Sequence, residues 1–396
     1  MIPMRRARID GALIVPKKVQ SLPKQLSPIE RARRALSFQE VDRVAVGGGF
    51  VTNAAAIEAA SGIRPMWKNP ELALLRAYRH WQVDVIFQME LPERPAGAAG
   101  GEVLVEPSYR SRFDERLDPA DFNSPEDVVA YVKQLPTPEQ AREAIDPGAE
   151  YEAWSELVGR RQENMPDILW VPGHQAGVVR FMWYMDFGFA PYFMALALYP
   201  EVMERLFELE AVRAHRRNEA IARCIHDQGL LPLVYVGEDI CDNRGPMVKP
   251  EILRDIYFPH LEYGFRPLLE AGVRILWHVD GLAREIVPDL IAAGAGGFQG
   301  FQEELGMSLG EYRELRSRAG ERLLMVGSVS AVKTMPFGTV EEVRSEVERC
   351  IDAGQPGDGF VLMPSSSLGT DVAPANIEAM YQHAQTYGRD FPRAAD

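Results

Sequence analysis

Cysteine is scarce in this chain, with three residues in 396, at positions 224, 241 and 350. Their odd number and wide spacing exclude a disulfide framework and any Cys-pair metal motif. They fit a reducing cytoplasm, which is the expected location. Long apolar runs are missing too. No stretch approaches the roughly 18 uninterrupted apolar residues of a membrane span, so no membrane association is expected. Positive charge is in deficit. The 43 Lys and Arg stand against 57 Asp and Glu, a formal net charge of -14. A nucleic-acid partner would call for a basic face, and none is expected. The first residues, Met1 to Arg8, are basic without an apolar core behind them, so no secretory signal is expected.

What the chain does have is a set of short apolar runs. Eight have strand character: Arg43 to Val46, Val83 to Phe87, Ile168 to Val171, Leu233 to Val236, Val273 to Trp277, Gly297 to Phe301, Leu323 to Val326 and Phe360 to Met363. Most are continuous rather than alternating, the pattern of parallel strands buried on both faces. Helical periodicity lies between several of them, over Pro200 to Arg223, Pro250 to Glu270 and Thr339 to Ala353, the last followed by Gly354 as a helix stop. Strands alternating with helices predict parallel crossovers, and eight of them predict a closed (β/α)8 TIM barrel. Residues 1–27 have no clear period and are expected to form an N-terminal arm. Residues 28–396 are expected to form the single barrel domain. An insertion is expected at about 92–165, where a Pro/Gly/Ala-rich stretch leads into a charged, loop-like one. It is either a lid over the barrel mouth or a surface excursion.

Barrel enzymes keep their chemistry at the C-terminal ends of the strands. Here those ends carry Gly47-Gly48-Gly49, Gln88-Met89-Glu90, His174-Gln175, Glu238-Asp239, His278 with Asp280, Gln299 with Gln302, and Ser365-Ser366-Ser367. Two readings compete for His278, Asp280 and Glu238. One histidine and two carboxylates suit zinc or a harder divalent ion. The same groups suit proton transfer, with crowded carboxyls raising one another's pKa. Taken singly, Asp239 and Glu304 read as caps of following helices. The Met- and aromatic-rich segment from Phe181 to Phe189 reads as core packing or as the wall of an apolar pocket. His80, His215, His226, His260 and His383 lie in helical patterns among charges and are expected to have no role.

Several segments are similar to the uroporphyrinogen decarboxylase superfamily, most closely its corrinoid-dependent methyltransferase-like branch. They are Glu30 to Leu36 with Val41 to Val46, Gly237-Glu238-Asp239-Ile240 with Gly245 to Glu251, His278-Val279-Asp280-Gly281, and Pro364 to Ser367 with Asp371 to Ile377. The resemblance implies a (β/α)8 barrel. His278-Val279-Asp280-Gly281 stands where the methyltransferases have His-x-Cys-Gly, so Asp280 replaces a zinc-binding cysteine. The family's second cysteine falls near Ser366 or Ser367. The decarboxylase's arginine-rich motif after the first strand is replaced by Gly47-Gly48-Gly49-Phe50, which argues against a porphyrinogen substrate.

By resemblance, the expected activity is transfer of a methyl group from a small methylated substrate, such as an aryl methyl ether, to a corrinoid on a separate protein. His278, Asp280 and Glu238 would be catalytic and would be the ligands of any zinc or other divalent metal. Asp239, Gln302, Ser366, His174 and Gln88 would bind substrate. The alternatives are a decarboxylase or lyase acting on a small non-porphyrin acid, with Arg180 and Arg244 as anchors, and a non-catalytic barrel. A homodimer is compatible with the acidic surface and the arm.

Overall fold

Every one of the eight apolar runs contains a strand, and all eight lie parallel in one sheet. The computed structural model describes residues 25–94, 117–172 and 176–387. In chain order the strands are β1 (Ala45–Gly48), β2 (Val85–Ile86), β3 (Leu169–Trp170), β4 (Leu233–Gly237), β5 (Cys241–Asp242), β6 (Gly245–Pro246), β7 (Arg274–Val279), β8 (Ala295–Gly300), β9 (Leu324–Val329) and β10 (Phe360–Pro364). β5 and β6 form a separate antiparallel hairpin that no apolar pattern announced. The large sheet runs β3-β2-β1-β10-β9-β8-β7-β4. Its two ends meet where the Tyr235 N–H donates to the Pro172 carbonyl at 3.1 Å. The sheet thus curls into the expected (β/α)8 barrel.

The continuous apolar runs are explained by two cores. Leu233 and Tyr235, Leu276, Leu324 and Val326 point inward and pack together. Their neighbours in sequence, Val234 and Val236, Ile275 and Trp277, and Met325, point outward against the helices. Successive strand residues face opposite sides, so a strand buried on both needs no polar alternation.

The bottom of the barrel is plugged by the helix Pro28–Leu36, whose Ala32, Ala35 and Leu36 join the interior cluster. The same helix supplies one side of a buried ion cluster. Asp84, fully buried just before β2, accepts from Arg31 at 2.7 Å, from Arg43 at 2.7 Å and from the Val46 amide at 2.9 Å. Arg31 also reaches Asp42 at 2.6 Å. The charges compensate one another at a place where water cannot.

Three expectations about helices change in detail. The stretch Pro250 to Glu270 is two helices, Pro250–Ile256 and Phe258–Glu270. Pro259 has no amide hydrogen to continue the first, and its ring crowds the preceding turn. The helix Val340–Gly354 is capped by Thr339, where the helical pattern was expected to begin, but the left-handed residue that ends it is Gln355, at φ 52°. Gly354 is required for a different reason: a Cβ there would lie 2.3 Å from the Phe360 ring. The described part of the expected insertion is helical rather than loop-like, with Pro125–Gln134, Pro138–Glu143 and Pro147–Asn164. Each helix begins with a capping side chain, Ser124, Thr137 or Asp146, followed directly by proline. The expected arm, up to residue 24, lies outside the described residues, as do residues 95–116 of the insertion. Among the described residues no helix is long and apolar enough to cross a membrane.

Removing the centre of the ion cluster tests its weight in the fold. Asp84→Ala leaves two buried guanidinium groups without their shared partner and is expected to cost about 3–5 kcal/mol in urea unfolding. A loss below about 1 kcal/mol would show that the cluster is dispensable.

Candidate functional site at the barrel mouth

The interior changes character at its C-terminal end, where apolar side chains give way to polar ones. The change is set by register. Gly237 on β4 pairs with His278 on β7, and His278 pairs with Gln299 on β8. His278 shares the inward direction of Leu276 two residues earlier, so its imidazole sits on top of the apolar interior. Phe50 and Tyr235 lie beside it, with ring centroids at 6.0 Å and 6.2 Å.

Space for this imidazole comes from glycines on both sides. A Cβ on Gly237 would lie 2.4 Å from the His278 Cβ, and one on Gly300 would lie 3.2 Å from Nδ1. Gly281, at φ 77°, lets the chain after β7 turn against the β5–β6 hairpin, where a Cβ would meet the Asp242 carbonyl at 2.7 Å.

Hydrogen bonds then fix the ring. The Gln299 Oε1 accepts from His278 Nδ1 at 2.6 Å and from the Tyr235 hydroxyl at 2.8 Å. This carboxamide orientation makes Nδ1 the protonated donor and turns Nε2 toward Asp280, 3.5 Å from Oδ2. Ser366 donates to the same Asp280 oxygen at 3.1 Å, while Asp280 Oδ1 is buried with no hydrogen-bond partner among the described residues. Burial works against charge on both His278 and Asp280, but each stabilises the other. The imidazole is raised to about 9, and the Asp280 carboxyl is held below its ordinary range.

The third member of this group is Asp239. One ligand atom from each of Asp239, His278 and Asp280 lies within 4.8 Å of the other two. Glu238, its neighbour in sequence, is not in the trio. Its Oε2 accepts from the amides of Phe181 and Met182, both at 2.9 Å. Adjacent residues at a strand end face opposite ways, so only one of this pair can face the axis. Burial pushes the Glu238 carboxyl up to about 7. No helix follows Asp239; the chain passes into the β5–β6 hairpin, so the capping role does not arise.

The remaining candidates divide by place. Ser366 is in the site through Asp280. Gln302 accepts from the Gly281 amide at 2.7 Å and so holds the turn after β7. Gln88 is buried after β2 and donates to Glu90 at 2.6 Å. His174 lies outside the described residues. Glu90 itself carried no role in the sequence reading. Its carboxylate also accepts from Ser367, and it feels the charges of His278 and Asp280. The adjacent serines Ser366 and Ser367 therefore tie carboxylates that follow two different strands, β7 and β2. Position at a strand end was the only sequence signal for Glu90.

Phe181, Trp183, Tyr184 and Phe187 are buried in the outer core, while Met185 and Phe189 are exposed. Cys241 is buried, and burial pushes its thiol up to about 12, far from reactive. His80, His215, His226, His260 and His383 all lie in helices away from this group, each beside an acidic side chain. Arg180 is paired with Asp186 and stacked 4.7 Å over Trp183. Arg244 is exposed and paired with Asp242 at 2.6 Å.

Residues 239–387, which include the whole trio and Ser366, match the family model for uroporphyrinogen decarboxylase (URO-D). The resemblance to that superfamily is borne out over this span. A methyltransferase from Methanosarcina mazei has a similar fold, with a TM-score of 0.56 and 18% sequence identity, over 92% of this chain and 99% of the other. No curated protein sequence matches the chain. The family match begins at Asp239 and runs through β7 to β10, so the URO-D-like part is the half of the barrel that carries the trio.

The ion pair has a pH signature. The folded-state value of His278, about 9, lies above its ordinary 6.5. The stability contributed by the imidazolium is therefore complete below about pH 6.5 and is lost as pH rises through about 9. Its size is on the order of 3 kcal/mol. In chelator-treated protein, urea unfolding should show wild type losing about that much more than His278→Gln between roughly pH 6 and pH 10. Equal losses in the two proteins would show that the pair is not formed.

Proposed function

We propose that this chain is a methyltransferase-like enzyme that moves a methyl group from a small methylated substrate to a corrinoid carried on a separate protein. An aryl methyl ether is the leading substrate candidate. The observation that carries this reading is the meeting of Asp239, His278 and Asp280 at the barrel mouth. The family match over the same residues and the likeness to a solved methyltransferase support it.

Breaking a carbon–oxygen bond leaves the electron pair on oxygen, which then needs a proton or a Lewis acid. His278 holds a proton at neutral pH because Asp280 stands beside it. Gln299 occupies Nδ1, so the proton available for transfer is on Nε2. Ser366 and Gln302 keep Asp280 and the turn at Gly281 in place.

The same donor set fits a divalent cation. It offers one imidazole nitrogen and two carboxylates, with one buried Asp280 oxygen that has no partner among the described residues. An oxygen-rich set of this kind suits zinc or a harder ion better than a thiolate-seeking one. Asp239, His278 and Asp280 would hold the ion, which would supply Lewis acidity toward the leaving oxygen. Glu238 in this reading fixes the wall at Phe181 and Met182 rather than ligating the ion. Decarboxylation of a small acid would need a cation to anchor the substrate. Arg180 and Arg244 are both paired with aspartates, and no observation favours that reading.

Two measurements test the proposal. Elemental analysis should find stoichiometric divalent metal in wild type and none in His278→Ala; metal in neither protein, with activity retained in wild type, would assign His278 as the acid. Purified protein with a reduced, unmethylated corrinoid protein should demethylate an aryl methyl ether, leaving the phenol and a methylated corrinoid. Absence of transfer from every candidate donor would overturn the reading.

A further inference from the structure

The charges around the mouth are unbalanced. Glu90, Asp239 and Asp280 bring three carboxyls to a space that holds one imidazole. The charged groups acting on Glu90 and on Asp239 are His278 and Asp280, and the one acting on Asp280 is His278. Among the described residues, neither lysine nor arginine stands among the leading electrostatic partners of these three carboxyls. The arginines on the segments after β3 and β4 are spent on Asp186 and Asp242. A divalent cation on the trio, in place of the imidazole proton, would still leave the carboxylates in excess.

Glu90, on the segment after β2, is a carboxyl outside this trio that feels both His278 and Asp280, and it is held firmly. Its amide donates to the Gly49 carbonyl at 3.0 Å, and its side chain accepts from Gln88 and Ser367. The close approach of the two loops depends on Gly49, at φ 120°, where a Cβ would lie 2.2 Å from the Gln88 carbonyl oxygen. Beside Glu90, the buried Gln88 carboxamide leaves its Oε1 without a partner among the described residues, a further acceptor at the same place. Acceptors therefore line this part of the mouth.

We propose that the mouth selects substrates by charge, preferring cationic methylated compounds to neutral ones and rejecting anionic ones, with Glu90 as the specificity-determining residue. An anion entering here would lose its hydration and meet three carboxyls against a single imidazole that Asp280 already engages. An ammonium or other donor-bearing group would be met by acceptors already in position, next to the aromatic rings of Phe50 and Tyr235. The inference rests on reading the mouth as the substrate site of the proposed methyl transfer.

Calorimetric titration of the full chain with three ligands of one shape tests it without any transfer step. The probes are para-methoxybenzylamine, para-methoxybenzyl alcohol and para-methoxybenzoate. Wild type should bind the amine at least about tenfold more tightly than the acid, with the alcohol between them. Glu90→Gln should narrow the amine-to-acid ratio about fivefold and leave the alcohol unchanged. Acid binding as tight as the amine, binding of none of the three, or an equal weakening of all three by Glu90→Gln would overturn the proposal. Failure of methyl transfer with the charge order intact would instead count against the methyl-transfer reading alone.

Discussion

The site depends on one constraint, the register of parallel strands around His278. Gly237, His278 and Gln299 stand side by side on β4, β7 and β8. Shifting β7 or β8 by one residue would turn His278 or Gln299 out of the barrel, and shifting β4 would take Gly237 from beside the imidazole. The glycine provides room, the glutamine fixes the ring nitrogen, and Tyr235 fixes the glutamine in turn. The position of Asp280 relative to Nε2 then follows from two further residues of chain and a turn that glycine permits at Gly281. The chemistry of the mouth is thus a consequence of how the sheet is paired.

The two ends of the barrel use charge in opposite ways. At the bottom, Asp84 is surrounded by Arg31, Arg43 and a backbone amide, so every buried charge has a partner and the cluster closes the barrel. At the top, among the described residues, carboxyls outnumber cations, and Asp280 keeps a buried oxygen without a partner. A satisfied network is structural, whereas an unsatisfied one in a cleft stores the electrostatic free energy that a ligand can release. That contrast separates the two clusters as scaffold and site, although both consist of ordinary salt-bridging residues.

Much of the architecture was legible because it follows from local pattern. Eight continuous apolar runs with helices between them leave few alternatives to a parallel barrel, and all eight became strands. His278 and Asp280 could be picked out because they end one of those runs. What was hidden had no local signal. The β5–β6 hairpin is two residues per strand and carries no apolar period. The helices after Ser124, Thr137 and Asp146 were obscured by charge, though their cap-then-proline starts were present. Glu90 and Asp84 each look like one more acidic residue until the fold supplies their partners.

The sequence by itself determined the fold class, the strand ends at which polar groups gather, and the loss of the thiolate ligands that the resemblance implies, since residue type and order are enough for these. Only the tertiary structure decided which of Glu238 and Asp239 joins His278. The two are adjacent in sequence and identical in charge. Strand pleating turns one toward the axis and the other toward the amides of Phe181 and Met182. Nor could sequence pair Ser366 with Asp280 and Ser367 with Glu90, because strands far apart in the chain become neighbours only when the barrel closes.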